Sequence, residues 1–468
     1  MSVGEMAAAL GISAEAAPDR VDRILTRAVT DSREAAPGAL FVCVPGARVD
    51  GHDFAASAVE RGARAVLASR PLPEVVALGA PVLVVPDTVR ALGRLAAYWR
   101  DKTGAKVVCV TGTAGKTTLK ETLAAILAEH GKTARTPLNH NNQIGMPCAV
   151  LDTDGDEDFW VMEAGISHEG DMDELAAILR PDLALILNVG PGHTEGLGGR
   201  GVAWHKARLL AHLSPGGTAL VSADYADLVA EAEATGAKPV YFSATGVDVP
   251  YSARMGEGAG NFYLELAGEG LEAQTPFRGA FGAENAIAAA GAAHLLGLDA
   301  EEIRRGFAVA TLPPQRCARK EFGPWRVIDD TYNANPLSMR RMLEAAAAEA
   351  GAASLPLVAV LGEMGELGAD SARHHEDLGR LLGELGVAAV FWKGGHGGDV
   401  RVGLAATHPH AARGWTEVKG PEDFAAAWQA CRDFPAGGVL LFKGSRANRL
   451  EELLAALEEK EREQGRVL

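Results

Sequence analysis

Residues 107–118 read Val-Val-Cys-Val-Thr-Gly-Thr-Ala-Gly-Lys-Thr-Thr. A short apolar run passes through glycines into a lysine and two threonines, which is the pattern of a strand, a phosphate loop and a helix. Glycines bring backbone N–H groups close to phosphate oxygens, and the helix start adds partial positive charge. A lysine adds a full charge, and the following threonine hydroxyl can sit on a divalent cation. Gly112, Thr113, Ala114, Gly115, Lys116, Thr117 and Thr118 are therefore the expected nucleoside triphosphate cradle. The usual spacing places a first glycine at position 110, where this chain has Val110 and brings its first glycine two residues later.

The rest of the chain is consistent with several α/β units. Its 468 residues suggest about three domains. Residues 39–44, 65–67 and 82–85 read as strands with helical patterns at 54–61 and 89–99 between them, and the polar stretch 101–104 closes a unit at 1–103. From 107 onward strands and helices alternate, with strands at 159–162, 184–187 and 219–221 and a helix from about 117 to 130 stopping at Gly131. This is the pattern of a parallel sheet covered on both faces, with function at the carboxyl ends of its strands. Leu312-Pro-Pro314 ends this unit at 104–312. A third unit, 313–468, has strands at 325–328, 357–361, 388–391 and 438–442, each running into polar or glycine-rich sequence.

Composition excludes several classes. The net charge of -16 argues against nonspecific nucleic-acid binding. Five scattered cysteines with no Cys-x-x-Cys fit a reducing cytoplasm better than a disulfide framework or a zinc site. No signal peptide or membrane span is expected.

Polar residues cluster at the expected strand ends. Glu163 follows the strand at 159–162, as a cation ligand or as a solvated strand-end acid. Asn188-Val-Gly-Pro-Gly-His193 ends the next strand. Asn139-His-Asn-Asn-Gln-Ile-Gly-Met-Pro147, which includes Asn141 and Asn142, suits a polyoxygenated ligand or is a self-satisfied loop. Lys206 lies on an amphipathic helix, where composition alone makes it a surface lysine.

Taken together, Thr111-Gly-Thr-Ala-Gly-Lys-Thr-Thr118 resembles the ATP loop of the Mur ligases and the related folylpolyglutamate synthases. The resemblance extends over nearly the whole chain. Thr30-Asp-Ser-Arg33, Leu40-Phe-Val42 and Asp50-Gly-His-Asp-Phe54 are similar to the UDP-sugar domain of the Mur ligases, and they disfavour a folate enzyme. Glu163-Ala-Gly-Ile-Ser-His168, His193 and Lys206 are similar to their magnesium and carbamate positions. Asp330-Thr-Tyr-Asn-Ala-Asn-Pro336, Gly362-Glu-Met-Gly-Glu-Leu-Gly368 and Lys443-Gly-Ser-Arg446 are similar to the branch that adds D-alanyl-D-alanine to UDP-MurNAc-tripeptide. Two departures stand out: Ala114 where the family more often has Asn, and Phe281 and Gly282 where it reads His and Asn.

The resemblance implies a three-domain α/β architecture: a small N-terminal UDP-sugar domain, a central phosphate-loop domain and a C-terminal Rossmann-like domain. It implies ATP and Mg²⁺ as cofactors, and a cytoplasmic, monomeric enzyme forming an amide bond through an acyl phosphate. By the same likeness Lys116 meets the phosphates, Thr117 and Glu163 hold one metal, and His193 and carbamylated Lys206 hold a second. Asn285 and Arg316 lie on the adenine side and Asp330 at the ribose. Ser32 and Arg33 hold the uridine diphosphate end, and Asn141 and Asn142 stand as further substrate residues. Tyr332, Asn333, Asn335, Lys443, Ser445 and Arg446 serve the dipeptide or the closing interface. Another amide ligase of the superfamily and a phosphate-loop switch ATPase are the competing expectations.

Overall fold

The strand Lys106–Thr111 lies inside a nine-stranded sheet, and its position decides where a ligand can bind. The computed structural model describes the chain except residues 13–23, 47–48, 193–194, 408–413, 431–436 and 464–468. From one edge the sheet runs Glu269–Gln274, Asn261–Leu266, Tyr251–Met255, Val240–Ser243, Thr218–Ser222, Leu183–Ile186, Lys106–Thr111, Phe159–Glu163 and Thr133–Arg135. Lys106–Thr111 pairs in parallel with Phe159–Glu163 on one side and Leu183–Ile186 on the other. Chain order therefore reverses direction across it, and the crevice at its carboxyl end is the expected ligand site of such a sheet. Its residues 107–111 are fully buried, as strands covered on both faces require. The two outermost strands on the far edge are an antiparallel extension that the strand–helix alternation does not announce.

Two further sheets flank this one. Four parallel strands, Arg27–Val29, Ala39–Val42, Ala65–Ala68 and Val82–Val84, form the N-terminal unit. Six strands form the C-terminal unit, in the order Ala318–Phe322, Trp325–Asp330, Gly438–Lys443, Leu357–Gly362, Ala389–Lys393 and Trp415–Glu417. All but the first of these are parallel. The helix before the central sheet, Thr88–Lys102, runs through Asp101 and Lys102 before the chain turns, so the polar composition there is the exposed end of a helix.

The helix after the phosphate loop spans Lys116–Leu127. Its regular part ends earlier than the sequence suggests because residues 129 and 130 tighten into i→i−3 bonds. Gly131 then closes the turn on the Leu127 carbonyl at 3.0 Å. The alanine-rich helix Gly279–Leu295 packs against this helix and against Tyr251–Met255. Twelve of its residues are buried, Glu284 and Asn285 among them.

Candidate active site between the central and third domains

Gly115 starts the phosphate-loop helix with φ of 81°, and a Cβ there would meet Asn285 Oδ1 and Leu187 at 3.1 Å. Both facts call for glycine. The helix has no side-chain cap, so its first N–H groups are left for an anion.

Asn188, at the end of the neighbouring strand, shapes the loop. Its Oδ1 accepts the Thr113 N–H at 3.0 Å and the Ala114 N–H at 2.9 Å. Its Nδ2 donates to the Ala114 carbonyl at 3.0 Å. The side chain of Ala114 takes no part, which is how a backbone-shaped cradle accommodates a residue other than Asn.

Two of the proposed metal ligands meet. Thr117 Oγ1 donates to Glu163 Oε2 at 2.7 Å, and Glu163 is 1% exposed. Asn141 Nδ2 holds the other carboxylate oxygen at 2.7 Å. A buried carboxylate beside a threonine hydroxyl is a donor set suited to a hard cation. This pairing shows that Glu163 is not a solvated strand-end acid.

Lys116 and Lys206 both donate to the Gly112 carbonyl, each at 2.9 Å. Burial, and then the charge of Lys116, push the Lys206 amine well below the ordinary lysine range. Burial also lowers Lys116. Lys206 is 3% exposed, so it is not the surface lysine that composition favours. His193 lies outside the described residues.

A cavity of about 400 Å³ opens in front of these groups. The loop residues Thr113–Thr118, Asn141, Asn142, Glu163 and Lys206 line its central-domain wall, together with Phe281 and Asn285. Arg316, Asp330, Tyr332, Asn333, Asn335 and Lys443 line the opposite wall. Asn285 Nδ2 donates to the Phe281 carbonyl at 2.9 Å, while among the described residues its buried Oδ1 accepts no hydrogen bond. That vacant acceptor fits a ligand donor such as an exocyclic amine. Arg316 lies over the Tyr332 ring, 4.0 Å from its centroid. Asp330 is held by Lys443 at 2.5 Å and by the Cys317 N–H at 3.1 Å. Lys443 also reaches the Asn333 carbonyl at 3.0 Å.

Other proposed residues stand apart from the cavity. Ser32 and Arg33 form a turn on the N-terminal domain, with Arg33 folded back on Asp31 and its side chain 83% exposed. Ser445 accepts from Asn448 at 2.7 Å, and Arg446 pairs with Glu451 at 2.7 Å. Asn142 does line the cavity, but its Oδ1 accepts the Ile144 and Gly145 N–H groups and so shapes its own turn. In the N-terminal domain Asp50 and buried His52 form a structural latch: Asp50 accepts from His52 at 2.5 Å and His52 Nε2 accepts the Ser69 N–H at 2.9 Å.

Sequence reasoning assigned no role to Asn188, and it missed Tyr225, Glu284 and Arg341. One signal was available: Glu284 is the only charged residue between Arg278 and His294, and an acid inside an alanine-rich helix needs a partner.

Three α/β units, with a phosphate loop facing its neighbour across a polar cavity, define a multidomain nucleotide-dependent enzyme. The chain belongs to the Mur ligase family. Three family patterns cover it in order: "Mur ligase family, catalytic domain" at 26–100, "Mur ligase middle domain" at 110–293 and "Mur ligase, glutamate ligase domain" at 315–446. It is 32% identical to the UDP-N-acetylmuramoyl-tripeptide–D-alanyl-D-alanine ligase of Escherichia coli (strain K12) over 94% of this chain and 95% of that one. A crystal structure of MurF from Acinetobacter baumannii superposes with a TM-score of 0.87 at 32% identity, covering 98% of both chains. The MurF ligase of Thermotoga maritima in complex with ADP superposes at 0.76 with 28% identity, covering 95% of this chain and 99% of that one.

Proposed function

We propose that this chain is an ATP-dependent amide ligase that joins D-alanyl-D-alanine to UDP-N-acetylmuramoyl-tripeptide. The observation that carries the reading is the cavity itself: phosphate-loop groups on one wall face amide, phenol and guanidinium side chains on the other. Full-length likeness to ligases of that name supports the choice of substrates.

A carboxylate is a poor electrophile because oxide is too poor a leaving group. Phosphorylation by ATP makes the acyl carbon reactive: the tripeptide carboxylate attacks the γ-phosphorus and ADP leaves. The dipeptide amine then attacks the acyl carbon, phosphate departs and the amine proton is released. The first step brings two anions together, so the site must supply positive charge. Lys116 does so at the phosphates, together with the loop's backbone N–H groups. Thr117 and Glu163 would hold Mg²⁺, which when bound neutralises charge on the phosphates. Lys206 is a buried amine whose proton burial and Lys116 make easier to lose, so it can add CO₂ with release of a proton and become an anionic oxygen donor at the same place. Asn285 offers its free acceptor to the adenine amine, with Arg316 nearby, while Asp330 is already held by Lys443. Tyr332, Asn333 and Asn335 line the wall from which the dipeptide would approach.

The N-terminal sheet, with Ser32 and Arg33 on an exposed turn, is the part left to hold the uridine diphosphate end. Among the described residues no helix is long and apolar enough to cross a membrane.

Phosphate release tests the reading. UDP-MurNAc-tripeptide and ATP are supplied with and without D-Ala-D-Ala, and sustained release is expected only with all three. Release that ignores both peptide substrates would sink it.

A further inference from the structure

Glu284 is a buried carboxylate that the amide-forming chemistry does not use, and it has four contacts. Its Oε2 accepts from Asn188 Nδ2 at 2.9 Å and from Arg341 at 2.7 Å. Its Oε1 accepts from the Tyr225 hydroxyl at 2.7 Å and from the second Arg341 nitrogen at 3.0 Å. Arg341 also donates to the Tyr225 oxygen. The Glu284 side chain is 3% exposed and that of Arg341 18%.

The two ends of this cluster lie in different places. Arg341 is on the helix Pro336–Ala352 of the third domain. Asn188 holds the Thr113 and Ala114 N–H groups of the phosphate loop. Only one orientation of the Asn188 amide serves both neighbours, with oxygen toward the loop N–H groups and nitrogen toward Glu284. Glu284 enforces that orientation because an ionised carboxylate accepts only. One turn earlier on the same helix, Phe281 packs against the third domain's apolar cluster. The planar Arg341 fork matches the carboxylate with two bonds, so the pair is sensitive to how the domains are set against each other.

We propose that Glu284 and Arg341 are positioning residues that couple docking of the third domain to the shape of the phosphate loop. With the domain docked, Arg341 compensates the Glu284 charge, Glu284 fixes Asn188, and Asn188 holds the loop ready for the triphosphate. When the domain moves away, Glu284 loses its counter-charge in a buried place and the Asn188 amide loses its fixed partner. ATP is then gripped properly only where the dipeptide's domain is in position. The proposal rests on the ligase reading for its purpose but not for its first measurement, which is ADP affinity.

The test uses the full chain and four variants: Arg341→Lys, Arg341→Met, Glu284→Gln and the double variant Glu284→Gln/Arg341→Met. ADP–Mg²⁺ affinity is read by calorimetry, KM for ATP and kcat by phosphate release, and Tm by unfolding. Arg341→Met is expected to weaken ADP binding about 10-fold or more and to raise KM for ATP in step. The double variant is expected to recover at least about 3-fold of that loss, because it removes the stranded charge. Arg341→Lys, which keeps the charge and loses the fork, is expected to fall between and decides the matter if Arg341→Met does not fold. ADP affinity and KM within about twofold of the parent in every folded variant, with only Tm changed, would overturn the proposal. So would a double variant whose loss equals the product of the two single losses. Failure of the ligase reading looks different: the parent chain itself would release phosphate without regard to D-Ala-D-Ala.

Discussion

Lys116 and Lys206 donate to one and the same oxygen, the carbonyl of Gly112, each at 2.9 Å. Two ammonium groups so placed repel each other, and the more deeply buried one gives up its proton more easily. Burial and the neighbouring Lys116 lower Lys206 well below the ordinary lysine range, which favours the free amine, the form able to take up CO₂.

Lys206→Ala is expected to lower kcat by about 10²-fold or more. Short carboxylates such as acetate should restore part of the activity by supplying the missing oxygen. Lys206→Arg should be equally inactive and not rescued, because a guanidinium stays charged. In the parent, activity should fall on the acid side as the amine protonates, at a pH well below that of an ordinary lysine. Full activity of Lys206→Ala in CO₂-depleted buffer would refute the role.

Asn285 offers a second readout. Its Oδ1 is buried and accepts no hydrogen bond among the described residues. Asn285→Leu removes that acceptor and should raise KM for ATP about 10-fold, the equivalent of one hydrogen bond of roughly 1.4 kcal/mol. Discrimination against GTP should narrow, because guanine presents an oxygen where adenine presents an amine. An unchanged ATP-to-GTP preference would remove Asn285 from the adenine side.

What the sequence made legible follows from how local each signal is. The phosphate loop needs only neighbouring residues, so its strand, turn and helix were readable, as were the buried strands of all three sheets. Thr117 and Glu163 lie 46 positions apart, and parallel pairing of adjacent strands brings them to 2.7 Å. Their proximity follows once strand order is known. The cluster at Glu284 is different. Its partners Tyr225, Asn188 and Arg341 are 59, 96 and 57 positions away, on a loop, a strand end and another domain. No local pattern encodes such a meeting. The exposed turn bearing Ser32 and Arg33 is similar in kind, because its place relative to the cavity depends on domain arrangement.

His375 gives a pH-dependent prediction for the third domain. Its Nε2 accepts the Met364 N–H at 3.0 Å and its Nδ1 donates to the Ser371 carbonyl at 2.7 Å. It therefore anchors the segment carrying Glu363 as a neutral ring. Burial lowers its pKa, and the stacked His396, 4.5 Å away, opposes a second charge. A base with a lowered folded pKa contributes stability that is whole above its unfolded value of about 6.5 and is lost as pH falls toward the folded value. Unfolding midpoints should therefore drop as pH falls below about 6.5, and His375→Gln should flatten that drop. His374 is lowered in the same direction by burial, so some slope should remain. An identical pH profile in His375→Gln would rule out its contribution.

Docking of the third domain can be probed at a place with no charge. Gly190 sits on the loop after Asn188, and a Cβ there would meet Leu337 at 3.0 Å. Beside it, Asn335 Nδ2 donates to the Thr113 carbonyl at 3.1 Å while its Oδ1 caps the helix Pro336–Ala352 at the Ser338 N–H. The start of that helix therefore rests directly on the phosphate-loop region. Gly190→Val adds three carbons where even one is tight against the Leu337 side chain, and the compliant element is the interface rather than either core. Leu337 and the helix start should be pushed away, the Asn335 contact should break, and kcat should fall about 10-fold or more, in line with the cost of misplacing catalytic groups by about 1 Å. The third domain's core clusters are separate from the one that the N-terminal and central sheets share, so the far-ultraviolet spectrum should be unchanged. Small-angle scattering with an ATP analogue and UDP-tripeptide should give a larger radius of gyration for Gly190→Val than for the parent. Equal radii and equal kcat would mean that the contact at Gly190 plays no part in docking, and the functional coupling would then fall to Arg341 and Glu284 alone.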